Sequence, residues 1–449
     1  VVLNTGRRLA WRLLLSVALI ATMALHPQAG TAKEKVITLV AVGDVNMNRH
    51  REVVKPDGIA LWGKLVPFEK QIEKIVKYID GDINFLNLET TVMDSNDIKA
   101  ADKTFVFRCH PNSVRTLAKA GFNLMSIANN HIIDYGEEGM KETLKWMETI
   151  AKEQRKGRLW YAGAGMNIEE ATEPTLFKVK GVRFAFGAVS ISQRATSKRY
   201  GVASVHDPEL ALKKLKAADA DVKILSMHAG TEKESKPVSV QLRVAREAIE
   251  KYDVDIVLGH HAHVPQGVEF YKGGIIFFGL GNFSMRGARN MGVAEFRPMR
   301  DFGLIGKIEM AWDTKKQSLT FRRVEALPVF DMHSGVHAFS KEEDARVRVE
   351  ALNKLSDTRH LGKGSGGLVF AFRNGRGVAE FEEGKPKASK VEERKDEKKS
   401  SKSVKKSSSS KKKKEIKKEK KKDKKKKRDK KKSHSGLSQP IEEATLVQK

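Results

Sequence analysis

The chain has 449 residues, 40% of them hydrophobic, which is enough for a sizeable core, and its one cysteine, Cys109, rules out an internal disulfide and a multi-cysteine zinc site. Its formal net charge of +28 is uneven: Lys385 to Lys432 holds 27 Lys and Arg against 8 Asp and Glu, and so supplies +19 of it. The rest is an ordinary basic surface, and because the chain reads as exported, no nucleic acid is expected as a partner.

At the start, Arg7, Arg8 and Arg12 precede an apolar run from Leu13 to Leu25, and small residues follow as far as Ala32. That order describes a secretory signal peptide over residues 1–32, with an uncleaved N-terminal anchor as the alternative. Either way the remainder is expected to be exported: periplasmic, extracellular, or membrane-anchored and facing outward. Val36 to Val42 is β-branched and apolar, a buried strand running into Gly43-Asp44. Phe68, Ile72, Ile75, Val76 and Ile79 then recur at helical spacing behind Pro67, which predicts a helix over 66–79. Ile83 begins a second buried strand that ends in Asn87-Leu88-Glu89. A helix over 112–120 leads to a third strand, Asn123 to Ala128, which delivers Asn129-Asn130-His131. Asp134 is expected to open the turn before a long helix over 137–152.

The pattern then turns partly antiparallel. Phe177 to Lys180 and Val182 to Val189 read as a hairpin around Gly181. Helices are expected over 208–218 and 238–252. Between them Val222 to Met227 is a strand giving His228, with Glu232 close behind. Asp255 to Gly259 is a further strand, followed at once by His260, His261 and His263. Gly274 to Phe278 leads into Gly281-Asn282-Phe283, residues 302–312 and 318–327 have the rhythm of antiparallel strands, 341–354 is a last helix, and Leu368 to Phe372 a last strand.

Alternating strands and helices with a few hairpins describe a layered α/β domain. In such sheets ligands gather where strands end, because the connecting loops converge there. Five strands here end in Asp44, Asn87 with Glu89, Asn130 with His131, His228, and His261 with His263. Carboxylate, amide oxygen and imidazole without thiolate suit a divalent metal such as Mn, Fe or Zn.

Gly43-Asp44 to Arg49, Asn87-Leu-Glu89, Ala128-Asn-Asn-His131 with Asp134-Tyr-Gly136, His228-Ala-Gly-Thr-Glu232, Gly259-His-His-Ala-His-Val264 and Leu280-Gly-Asn-Phe283 together resemble the bacterial poly-gamma-glutamate capsule biosynthesis protein family (CapA-type). The resemblance spans roughly Val36 to Phe283. It implies a branch of the calcineurin-like metallophosphoesterases and a four-layer α/β/β/α sandwich over residues 33–383. It further implies Asp44, Glu89, Asn130, His228, His261 and His263 as metal ligands, and His131 as the acid near a leaving group. Two positions depart from the metallophosphoesterase pattern: Asn46 stands where a histidine is usual, and Glu89 where the bridging aspartate is usual. A one-metal site, or one that binds without turnover, therefore stays open. Arg49, Asn87 and Asn282 are expected to contact substrate, although Arg49 serves equally well as an ion-pair partner and Asn282 as a turn cap. Glu232 is expected to orient a ligand imidazole.

Residues 384–449 are rich in Lys, Ser and Glu and poor in apolar groups, the composition of a disordered tail. Its expected partner is an anionic polymer or another cell-surface polyanion, with membrane association and other capsule-synthesis proteins as further partners. The function expected is therefore exported capsule biosynthesis, assisting synthesis, export or anchoring of a poly-gamma-glutamate-type polymer. A metal-dependent phosphoesterase and a noncatalytic polyanion-binding scaffold are the alternatives.

Overall fold

The structure, a computed structural model, describes residues 34–61, 64–154, 158–286, 302–332, 334–362 and 365–387. The signal or anchor expected over 1–32 and nearly all of the Lys-rich tail lie outside the described residues. Two mixed sheets form the centre. The larger runs, by residue range, 371–373, 376–382, 318–330, 303–313, 34–46, 83–88, 124–126 and 160–162, with Asn282–Met285 pairing parallel to the end of Glu34–Asn46. The smaller runs 175–179, 182–190, 222–228, 256–260, 274–277 and 268–271.

The period of two along each strand explains why the sheets stack. On Val182–Ser190, Phe184, Phe186 and Ala188 join the cluster shared with the larger sheet, while Ala185 and Val189 face the opposite way. Ile224, Ile256 and Leu258 repeat the inward face, and Leu225, Met227 and Val257 the outward one. Phe85 of the larger sheet meets Phe186 of the smaller with ring centroids 5.8 Å apart, and Trp160 stacks on Phe177 at 4.3 Å. Helices close the outer faces. Pro111–Lys119 and Gly136–Glu153 bury Val114, Leu117, Met140, Met147 and Ile150 in the larger sheet's cluster. Glu209–Ala217 and Ser239–Tyr252 bury Leu212, Leu215, Val244, Ala245 and Ala248 against the smaller sheet. The order is helix, sheet, sheet, helix, the four layers expected from the sequence.

Two local expectations change. The helix expected over 66–79 is instead a pair of short 3-10 turns, Phe68–Gln71 and Val76–Tyr78. Phe68, Ile72, Ile75 and Ile79 are buried as the spacing required, but the β-branched Ile72, Ile75 and Val76 disfavour a continuous helix and most of the hydrogen bonds fall at i to i+3, with Glu73 to Glu69 and Val76 to Ile72 at i to i+4. At the other end Ala371–Arg373 pairs antiparallel with Arg376–Glu382. Between them Asn374 and Gly375 adopt φ of 49° and 77°, the conformation an Asn-Gly hairpin turn needs. Lys385–Pro386 still pairs with that second strand.

Candidate metal centre

Strand ends from both sheets meet at one rim. Glu34–Asn46 is buried on both faces from Leu39 onward, the mark of a central strand, and it carries Asp44 to this rim. Gly43 allows the close approach that fixes Asp44: a Cβ there would stand 1.8 Å from the Gly281 carbonyl oxygen, and the Asp44 amide donates to that same oxygen at 3.0 Å. On Ile83–Leu88 the parity of inward-facing Phe85 passes to Asn87 and then to Glu89. On Val222–His228 and Ile256–His260 the inward parity falls on His228 and His260, which are register partners. His261 and His263 then take φ of 84° and 57°, a left-handed conformation that non-glycine residues rarely adopt and that turns their imidazoles back toward the rim.

Glu89 is the meeting point. Its Oε1 lies 3.5 Å from His228 Nε2, 3.8 Å from His263 Nε2 and 3.9 Å from His131 Nε2. Both of its oxygens are buried without a hydrogen bond. Two groups of ligand atoms share it: Glu89 with His228 and His261, and Asp44 with Glu89 and His263, all atoms of each group lying within 4.8 Å of one another. Asn130 Oδ1 sits 2.7 Å from His228 Nε2, beside the first group. The six residues expected to ligate metal are thus brought together.

The electrostatics of this cluster call for a cation. Burial, then the charge of Asp44, push the Glu89 carboxyl well above its usual range. Burial would raise Asp44 as well, but His260 and His263 outweigh it and hold Asp44 well below its usual range. Burial opposes a charge on His263, yet Glu89 and Asp44 lift it to about 10. Burial and the neighbouring His263 lower His261 to about 4, and burial with His261 lowers His228 well below the ordinary imidazole value. His228 and His261, held neutral, face the buried and unbonded oxygens of Glu89, and His263 joins the same carboxylate from the Asp44 side, a set of donors that suits a divalent ion. The residues fit the metal.

His131 borders the centre without belonging to either group. Its Nδ1 is 2.5 Å from Asp134 Oδ2, and Asp134 also accepts from the Phe107 amide at 2.7 Å and from Lys103 Nζ at 2.6 Å. Lys103 donates to the Asn130 carbonyl as well, at 2.8 Å. Burial lowers the His131 pKa against the opposing pull of Asp134. Asp134, expected only to open a turn, is instead a fully buried partner that fixes the imidazole and leaves Nε2 turned toward Glu89. A histidine three residues before an aspartate was the available signal. Lys103 had none, because it arrives from a distant loop.

The remaining expected residues divide. Asn87 Nδ2 donates to Asp44 Oδ1 at 2.8 Å and lies 3.1 Å from His228 Nδ1, so its amide braces ligand residues. Asn282 Oδ1 is 2.9 Å from His263 Nδ1. Arg49 pairs with Glu52 at 3.5 Å. Glu232 is exposed, and among the described residues it makes no hydrogen bond to a ligand imidazole; its charge is felt by Glu89, His261 and His263. Asn46 turns its side chain back onto Asn48, donating to that carbonyl at 3.0 Å and accepting from that amide at 3.3 Å. His260, for which the sequence offers no separate role, is buried beside Asp44.

A family model described as bacterial capsule synthesis protein PGA_cap matches residues 38–286, which carry every residue of this centre. The capsule biosynthesis protein CapA of Bacillus anthracis is 32% identical over 295 residues, 60% of this chain and 66% of that protein. The PGA biosynthesis protein CapA of Bacillus subtilis is 31% identical over 263 residues, 57% of this chain and 65% of that protein. The chain therefore spans just under two thirds of the length of each. Among solved structures, a phosphatase of Mycoplasma pneumoniae aligns over 66% of this chain and 94% of its own at 16% identity, with a TM-score of 0.39. The NAD nucleotidase of Haemophilus influenzae aligns over 72% and 63% at 12% identity, with a TM-score of 0.36.

Proposed function

Because the chain belongs to the bacterial capsule synthesis protein family, we propose that it assists synthesis, export or anchoring of a poly-gamma-glutamate-type polyanion through a divalent-metal centre built around Glu89. The observation that carries this reading is the Glu89 carboxylate, buried without a hydrogen bond and shared by two ligand groups. Asp44, Glu89 and His263 would hold one ion; Glu89, His228 and His261, with Asn130 beside them, would hold the other. When bound, such ions supply Lewis-acid polarisation of a phosphoryl or carbonyl oxygen.

The protein's own groups do the rest. Asp134 accepts the His131 Nδ1 proton, so the neutral imidazole presents a lone pair at Nε2 toward the centre. From there His131 can take a proton from an attacking hydroxyl and return it to a departing oxygen or nitrogen. Lys103 and the Phe107 amide hold Asp134 in place. Asn87 and Asn282 hold Asp44 and His263 in place.

This same dyad favours a second reading, hydrolysis of an extracytoplasmic phosphoester, since a chain that only bound metal would have no use for an imidazole held in this way. Export by the N-terminal segment, and capture of the anionic polymer by the Lys-rich tail, belong to the proposal too. The test pairs two measurements: polymer yield from a capsule-forming host lacking its own copy and complemented with wild type or Glu89→Ala, and release of nitrophenol from nitrophenyl phosphate by the purified protein. Restored polymer with wild type alone supports the first reading. Metal-dependent nitrophenol release lost in His131→Ala supports the second. Equal polymer yield with Glu89→Ala contradicts a role for the centre in the polymer.

A further inference from the structure

His260 is 1% exposed, and neither of its ring nitrogens has a hydrogen bond. It shares the inward parity of Ile256 and Leu258, and its ring lies on Phe85 with centroids 5.5 Å apart. Its Nδ1 is 3.2 Å from Asp44 Oδ1, the oxygen that also accepts from Asn87 Nδ2. The other oxygen, Oδ2, is 3.2 Å from His263 Nδ1 and accepts from the His261 amide at 3.3 Å. The two oxygens of Asp44 therefore have different neighbours: Asn87 and His260 on one side, the ligand loop on the other.

We infer that His260 is a positioning residue for the cation on the Asp44 side. Together with Asn87 it engages Oδ1, so that Asp44 turns Oδ2 toward the ion held with Glu89 and His263. This ion needs such help more than its neighbour, because Asn46 spends its side chain on Asn48 and adds nothing to that side. An imidazole suits this position because its Nδ1 edge, 3.2 Å from Oδ1, borders the carboxylate on the side away from the ligand loop. The inference rests on the two-cation reading given above.

The test is calorimetric titration of the chelator-stripped full chain with Mn2+ and with Zn2+, alongside metal content after dialysis. Asp44→Ala and His228→Ala identify which binding event belongs to which side. His260→Leu is expected to weaken the Asp44-side event by about 10–100-fold and to leave the other unchanged. His260→Asn, whose amide N–H falls near the Nδ1 position, is expected to recover most of that loss; His260→Gln, which reaches toward Nε2, is not. Circular dichroism of the stripped proteins checks folding, and if His260→Leu does not fold, the contrast of Asn with Gln decides. Wild-type titration of both events in His260→Leu, or equal losses in Asn and Leu, would overturn the inference by reducing His260 to packing. A wild-type protein that binds neither ion would instead remove the two-cation reading itself.

Discussion

Glu89 and His228 face each other across the two sheets, Oε1 to Nε2 at 3.5 Å, both fully buried and without a hydrogen bond between them. A fold that spent this much desolvation on stability alone would have been better served by an apolar pair. The relationship makes sense if a cation completes it.

That cost sets the first prediction. With metal stripped by chelator, Glu89→Gln replaces a carboxyl whose ionised form burial and Asp44 disfavour, and is expected to raise unfolding stability by about 1–3 kcal/mol over wild type. With saturating divalent metal the order reverses, because wild type gains binding energy that Gln forgoes. Denaturant titrations in both conditions check the crossing.

The dyad beside the centre sets the second. His131→Ala is expected to lower hydrolysis of a phosphomonoester probe by about 10²–10⁴-fold with metal content unchanged, since His131 lies outside both ligand groups. Asp134→Asn should lose a large part of the same rate, because the 2.5 Å contact that orients Nδ1 is replaced by a neutral amide. Steady-state kinetics with parallel metal analysis separate the two effects.

A third prediction concerns pH and lies away from the rim. Burial raises the Asp255 carboxyl from 3.8 to about 6, only partly offset by the Lys223 amide that donates to it at 2.8 Å. Between those values the folded chain keeps a proton that the unfolded chain has released. The stability this contributes is complete below about pH 3.8 and lost as pH rises through about 6. Comparing Asp255→Asn with wild type by denaturant titration from pH 4 to 7 should show a smaller decline in the variant across that window.

A fourth follows from the clamp behind the Ser239–Tyr252 helix. Arg246 holds the buried Glu269 with two contacts of 3.0 Å and donates to the Leu361 carbonyl at 2.8 Å. Arg246→Met leaves that carboxylate with the Gly366 amide at 3.1 Å but without its counter-charge, and is expected to cost about 3–5 kcal/mol. Adding Glu269→Gln should recover part of the loss, a coupling that a double-mutant cycle of unfolding free energies measures directly.

Much of the fold and of the centre was legible in the sequence. Asp44, Glu89, His228, His261 and His263 stand directly at strand ends, where short-range pattern and topology agree. His260 was obscured by the histidines around it, although its parity with Ile256 and Leu258 already marked it as inward-facing. Lys103 and the back-turned Asn46 depend on loop conformation, which periodicity does not encode. The short turns of 66–79 are not distinguished by pattern, because a buried face recurring every three to four residues suits a 3-10 turn as well as an α-helix.

The most direct measurement is the metal content of the purified full chain and of Glu89→Ala, by elemental analysis after dialysis against buffered Mn2+ or Zn2+. A shared carboxylate predicts about two ions per wild-type chain and loss of both together in the variant. An unchanged metal content in Glu89→Ala would contradict the centre described here.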